Sequence, residues 1–355
     1  MDRTRFDDLA RLLAGTESRR RLIGWLAAAP LASGLLDILD PEDAEAAGRR
    51  RRRKKRHKHG RGRRRTRRKR KKKPQCTPLT TCPADKVCGT VDDGCGGTIT
   101  CGSCANPTPA CVNNACAACT SSDQCPTGEL CLDGICQACD VCAAGCAYTT
   151  VQAAITAAAA GDTIFVCAGT YGRVGTGSAA FINKNLTVVG AGTGQSGTIL
   201  DGGGAVSGFP VVSLYSPDFP GSEIELRDLT VTGGNAIAQT GGIEVSNSTQ
   251  LTLTRVHVTE NRAAIRAGGI GNFGTLVLNA GTEVTNNTAG DDAGGILNLF
   301  SLTVKDGASI TNNTATNGVG GGILNKGTVT LEAGADLSGN EPDQCVEDGG
   351  TGCPV

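Results

Sequence analysis

Gly268-Gly269-Ile270-Gly271-Asn272 recurs as Gly294-Gly295-Ile296-Leu297-Asn298 and again as Gly321-Gly322-Ile323-Leu324-Asn325; an earlier copy of the triplet stands at Gly241-Gly242-Ile243. A regular period of this size marks a solenoid, in which each repeat is one structural unit stacked on its neighbours. Between the triplets run short alternations, Leu276/Leu278, Leu302/Val304 and Val329/Leu331, and a second apolar column, Val258, Val284, Ile310 and Leu337. Alternation with period two, broken by glycine, is strand spacing. Three short strands per repeat bring the chain back above its starting point, one strand spacing of about 4.8 Å higher. Ile243, Ile270, Ile296 and Ile323 then stack as an inward column. Each buried aliphatic contributes about 1.5–3 kcal/mol before chain entropy is counted. Two asparagine rows share the period, Asn261, Asn287, Asn313 and Asn340 in one, Asn272, Asn298 and Asn325 in the other. Stacked amides bond coil to coil, as in other cross-β stacks. Seven or eight coils are expected between Ile164 and Asn340.

Upstream of the repeats, Thr149 or Thr150 is placed to cap a helix running to about Ala160, with Val151, Ile155 and a row of alanines on one face. Such a helix suits the open end of a stack of strands. The segments Tyr148-Thr149-Thr150-Val151-Gln152-Ala153-Ala154-Ile155, Gly161-Asp162-Thr163-Ile164, Ala168-Gly169-Thr170-Tyr171, Leu186-Thr187-Val188-Val189-Gly190 and Thr198-Ile199-Leu200-Asp201-Gly202-Gly203 resemble the opening coils of pectate-lyase-like right-handed parallel β-helix proteins. The Gly-Gly-Ile repeats are similar to those of bacterial surface proteins, including the chlamydial polymorphic membrane proteins. The resemblance covers residues 148 to 340 and implies an all-β, right-handed parallel β-helix with an N-terminal capping helix.

The rest of the chain divides by composition. Residues 76–146 hold fifteen of the 18 cysteines and resemble the small Cys-rich tandem modules of secreted bacterial proteins. So few large apolar side chains require cross-links. Cys101-x2-Cys104 and Cys116-x2-Cys119 have the pair spacing of a zinc ribbon, but zinc leaves Cys111 and its neighbours unexplained, whereas disulfides account for the whole set. Cys146 and Cys167 flank the capping helix and are expected to bond to each other; Cys345 and Cys353 are expected to clip the C-terminal tail, residues 344–355.

Charge is segregated. Residues 49–73 carry 20 Lys and Arg and no acid, while residues 74–355 carry nine against 25 Asp and Glu, so the arm is +20 and the body −16. The arm, within residues 47–75, repels itself, has nothing apolar to bury, and is read as a solvated tether for an anionic polymer or envelope polysaccharide. No aromatic residue interleaves it to stack on bases, which disfavours nucleic acid. Before it, Ser18-Arg19-Arg20-Arg21-Leu22-Ile23 leads into an apolar run to Leu36 and the small-residue site Ala44-Glu45-Ala46. Residues 1–46 thus have the layout of an export signal and resemble a bacterial twin-arginine signal. The 15-residue run is short for a membrane span, so the mature protein is expected to lack a transmembrane helix. Signal and cysteines together predict an exported protein, extracellular or on a bacterial cell surface.

Chemistry is harder to find. Gly192-Thr193-Gly194-Gln195-Ser196-Gly197 fits a dinucleotide fingerprint in spacing, but the strand-like Thr198-Ile199-Leu200-Asp201 follows where a helix is required, so it reads as a turn. The best catalytic group is Asp228, Arg255, His257 and Glu283: Asp228 and Arg255 are one period apart, and Glu283 follows His257 on the next coil. Paired carboxylates serve polygalacturonate lyases and hydrolases as calcium ligands or acid/base groups, although the fuller carboxylate and histidine set of polygalacturonases is missing. An ordinary solvated charge pair explains the same residues. Residues 209–220 break the regularity and bring Phe209, Tyr215 and Phe219, as a specificity loop or as an oversized turn. The leading expectation is a non-catalytic surface protein presenting a binding face; the alternatives are a secreted lyase or hydrolase of acidic glycan, with calcium as its possible cofactor, and a structural component of the envelope.

Overall fold

Threonine, valine, leucine and isoleucine recur at the strand positions of every repeat, and the computed structural model shows these segments pairing in parallel, one repeat upon the next. It describes residues 77–353 apart from 85, 106, 107, 109, 113, 114, 174, 176 and 216–220. The export signal expected at residues 1–46, the arm of residues 47–75, Cys76 and Phe219 lie outside the described residues.

The architecture is an all-β parallel solenoid of three sheets. The largest has twelve strands. Its first half stacks Thr163–Val166, Leu186–Gly190, the opening parts of Ser222–Thr232 and Thr249–Thr259, then Thr275–Leu278, Ser301–Val304 and Thr328–Leu331. Its second half stacks Gly169–Gly172, Thr198–Asp201, the closing parts of the same two long strands, Glu283–Thr285, Ser309–Thr311 and Asp336–Ser338. A seven-stranded sheet carries the Gly-Gly-Ile segments from Ala180–Ile182 to Cys345–Glu347. A four-stranded sheet runs from Asn235–Ala236 to Thr314–Ala315. Seven stacked strands make about six turns, fewer than the seven or eight expected. The early coils are longer: the step from Leu186 to its partner Ile224 takes up nearly half as much chain again as the step from Ile270 to its partner Ile296. Loops inserted in the first coils absorb the difference.

The inward columns form one continuous core. Ile243, Ile270, Ile296 and Ile323 are fully buried, as are Val258, Val284 and Ile310, while Leu337 in the last coil is only partly covered. The coupling of Gly-Gly-Ile to asparagine has a steric cause. A Cβ on Gly269 would lie 2.7 Å from the Gly295 carbonyl oxygen and 3.0 Å from Asn287 Nδ2, and one on Gly295 would meet Gly322 and Asn313 in the same way. The second glycine is therefore where one coil lies against both the next coil and its amide ladder. In that ladder Asn261 Nδ2 donates to Asn287 Oδ1 (3.1 Å), Asn287 to Asn313 (3.0 Å) and Asn313 to Asn340 (2.9 Å). Gln344 ends the row by accepting from Asn340 Nδ2 at 2.8 Å. The second ladder, Asn272 to Asn298 to Asn325, is bonded at 2.8 Å in both steps and ends on the Thr351 carbonyl.

At the N-terminal end the helix, α1, spans Val151–Ala157, capped by the Thr150 hydroxyl. It stops three residues short of Ala160 because Lys184 Nζ takes the carbonyls of Ile155 and Ala158, and Asp162 takes the Ala159 N–H, turning the chain away. The Gln152 side-chain amide accepts from the Phe181 N–H and donates to its carbonyl, closing the edge of the seven-stranded sheet. Val141 bridges Val166 and closes the first strand of the large sheet. Among the described residues the cysteine-rich region holds three two-stranded antiparallel sheets and the disulfides Cys82–Cys101, Cys88–Cys111, Cys104–Cys116, Cys119–Cys131 and Cys125–Cys136.

The expected Cys146–Cys167 staple is corrected: Cys167 pairs with Cys139, and Cys146 with Cys142. The pairing of Val141 with Val166, and the Cys167 N–H donating to the Val141 carbonyl, bring residue 139 alongside residue 167. Cys142 is then left to close the short turn to Cys146. At the other end, Cys345 pairs with Cys353.

Candidate functional site

Regular stacking decides which outward side chains meet. One outward column of the large sheet holds Thr230, His257, Glu283, Ser309 and Asp336; the next holds Thr259, Thr285, Thr311 and Ser338. In the first half of the sheet, Glu225, Thr252, Val277, Thr303 and Thr330 stand in one column. Apart from His257 and Val277, these columns are lined by hydroxyls and carboxylates, one rank about every 4.8 Å.

Asp228 and Arg255 occupy the turn that divides the large sheet into halves, both with positive φ (54° and 52°), and Gly281 and Gly307 take the same place in the following coils with φ of 77° and 75°. Arg255 Nε donates to Asp228 Oδ1 at 2.5 Å and Nη2 to Oδ2 at 2.7 Å, a bidentate pair. The bond to Asp228 raises the Arg255 pKa above its ordinary value, with Asp133 and Glu225 adding to it against the opposing effect of burial. Asp133 lies in the turn between Glu129–Leu132 and Ile135–Ala138, so the cysteine-rich region brings a carboxylate toward this part of the solenoid. No repeat or motif of the sequence points to Asp133, because its proximity depends on how the hairpin packs.

His257 Nε2 stands 3.6 Å from Glu283 Oε2, an ion pair when the imidazole is protonated. Among the described residues no hydrogen bond or ion pair joins this pair to Asp228 and Arg255. Asp228 and Glu283 are two coils apart, about 10 Å along the stack, and the Asp228 carboxylate is held by the Arg255 guanidinium. A general base needs a free lone pair within hydrogen-bond reach of the proton it takes.

An open groove of about 840 Å³ lies elsewhere, between the cysteine-rich region and the first coils, lined by Ser121, Asp123, Glu129, Ala144, Ala191 and Ser196 among others. None of the four candidate residues lines it. The interface beside it buries Leu130, Cys139, Cys142 and Cys167, with Phe165 packed against them. Phe209 and Tyr215 are half-exposed. Arg173 donates to the carbonyls of Phe209 and Pro210, pinning the start of that loop to the solenoid. The Gly192–Gly197 segment is a turn followed by the strand Thr198–Asp201. Cys101, Cys104, Cys116 and Cys119, which have zinc-ribbon spacing, are all in disulfides, and a sulfur in a disulfide has no thiolate to offer a metal. Among the described residues no helix is long and apolar enough to cross a membrane.

No protein-family model, no curated protein and no solved structure matches the chain.

Proposed function

We propose that this chain is an exported, non-catalytic surface protein, in which the basic arm of residues 49–73 contacts anionic polymer of the cell envelope and the solenoid presents its hydroxyl- and carboxylate-lined face for binding. The observation that carries the reading is the way the best catalytic candidates are used up: Asp228 and Arg255 bond each other, and His257 faces Glu283 on the outward side of the large sheet. Eight disulfides among the described residues support an oxidising destination, since reducing compartments keep thiols free.

Two measurements test it together. Fractionation of the producing bacterium should find the protein outside the cytoplasm with its N-terminus near Ala47. The purified protein, incubated with polygalacturonate with and without calcium, should release neither unsaturated products nor reducing ends. Product release that Asp228→Asn or His257→Ala abolishes would establish the lyase or hydrolase reading instead, and a cytoplasmic chain retaining Met1 would remove export.

A further inference from the structure

The tail covers two strand segments of the last coil, Ile323–Asn325 and the start of Thr328–Leu331. Glu341 bridges Thr314, Cys345–Glu347 pairs with Ile323–Asn325, and Thr351 bridges Thr328; the Cys345–Cys353 disulfide holds the tail along this path. Asp336–Ser338 pairs with Ser309–Thr311 on one side, and among the described residues no strand pairs on the other. The Asp336 N–H donates to the Ala308 carbonyl and the Ser338 carbonyl accepts from Asn312. Because successive residues of a strand bond to alternate sides, the N–H and C=O of Leu337 point off the end of the stack. Beneath them the core is unfinished: Leu331, Ala335 and Leu337 are only partly buried, whereas Leu278, Ala308 and Ile310, one or two coils earlier, are at most 1% exposed. An open edge over a half-covered apolar core is a site for strand addition.

We infer that two copies of this chain associate tail to tail by antiparallel pairing of Asp336–Ser338 about a two-fold axis at Leu337. The occupant is a second copy because the segment is self-complementary. With Leu337 opposite Leu337 of the second copy, the two residues exchange both backbone hydrogen bonds, and the two core columns become continuous. Asp336 falls opposite Ser338 of the second copy on the outward face, so no like charges oppose one another within the paired strands. Head-to-tail growth is blocked, since Val141, α1 and the Gln152 amide cover strand edges at the N-terminal end. The contact is therefore isologous and closes at two.

Sedimentation equilibrium of the oxidised mature protein, in enough salt to screen the arms, tests the pairing with two variants at an exposed position. Ser338→Asp sets two carboxylate pairs against each other by symmetry and should weaken the dimer roughly tenfold; Ser338→Lys sets lysine against Asp336 twice and should tighten it by a similar factor. A protein that stays monomeric at every concentration, or a dimer that both variants leave unchanged or shift in the same direction, overturns the inference.

Discussion

Removing one rung of the asparagine ladder separates a stack held by buried amides from one held by its aliphatic columns alone. Asn287 is fully buried. Its Nδ2 donates to the Val258 carbonyl (2.8 Å), the Thr285 carbonyl (3.1 Å) and Asn313 Oδ1 (3.0 Å), and its Oδ1 accepts from both the backbone N–H and the Nδ2 of Asn261 at 3.1 Å. Asn287→Ala leaves Asn261 Nδ2 its bonds to the Val231 and Thr259 carbonyls, but takes the side-chain partner from the Asn261 N–H and from the Val258 carbonyl. A buried polar group left short costs about 1–3 kcal/mol, so two of them predict a loss of about 4 kcal/mol. Asn317 provides the control. It also bonds to a carbonyl of the neighbouring coil, Gly290, but is exposed, and Asn317→Ala should change stability by less than about 0.5 kcal/mol. Denaturant unfolding with the disulfides intact, followed by far-ultraviolet circular dichroism at equal m-values, gives both numbers. A loss below about 1 kcal/mol for Asn287→Ala, or one equal to that of Asn317→Ala, would refute the ladder as a source of stability.

Three further outcomes follow from particular side chains. Burial raises the Glu244 carboxyl pKa, opposed in part by Thr240, so the folded state holds the proton more tightly than the unfolded chain and stability falls as pH rises through the folded pKa. Glu244→Gln should thus raise the denaturation midpoint at pH 7 and leave it unchanged in acid, below both pKa values; a wild-type protein more stable than the variant at pH 7 would contradict this. Arg255→Gly should alter stability by less than about 1 kcal/mol, because loss of an exposed ion pair is offset by relief of a positive-φ turn that Gly281 and Gly307 occupy in later coils; a loss above about 2 kcal/mol in denaturant unfolding would show that the pair stabilises the fold. Serine at both Cys139 and Cys167 opens a loop spanning 28 residues and should cost about 3.5 kcal/mol, while peptide mapping of the native protein should recover Cys139 linked to Cys167 and Cys142 to Cys146. Recovery of a Cys146–Cys167 peptide would reverse that assignment.

The stack was legible in the sequence because its determinants are local and repeated. Ile270, Ile296 and Ile323 return at a regular interval, and so do the asparagines that bond coil to coil. What escaped depends on contacts without a period. The disulfide partner of Cys167 is set by Val141, a single bridging residue with no alternating pattern around it. The count of coils fell from seven or eight to about six because loops in the early coils lengthen the path between Leu186 and Ile224 without adding a strand to that stack. At the candidate site, periodicity placed Asp228 against Arg255 and His257 beside Glu283. It carried no signal for Asp133, which comes from a different part of the chain, or for the burial of Glu244.

The proposed attachment through the arm is tested most directly by binding to polygalacturonate in stepped salt, comparing the mature protein with a variant whose Lys and Arg between residues 49 and 73 are replaced by glutamine. Twenty positive charges without apolar or aromatic partners bind by charge and counterion release, so affinity should fall steeply and linearly in log–log form as salt rises. The neutralised variant, with a body of net charge −16, should not bind at any salt concentration. Binding by that variant persisting at about 0.5 M salt, where the Debye length is only a few ångströms, would place recognition on the solenoid and contradict the tethered reading.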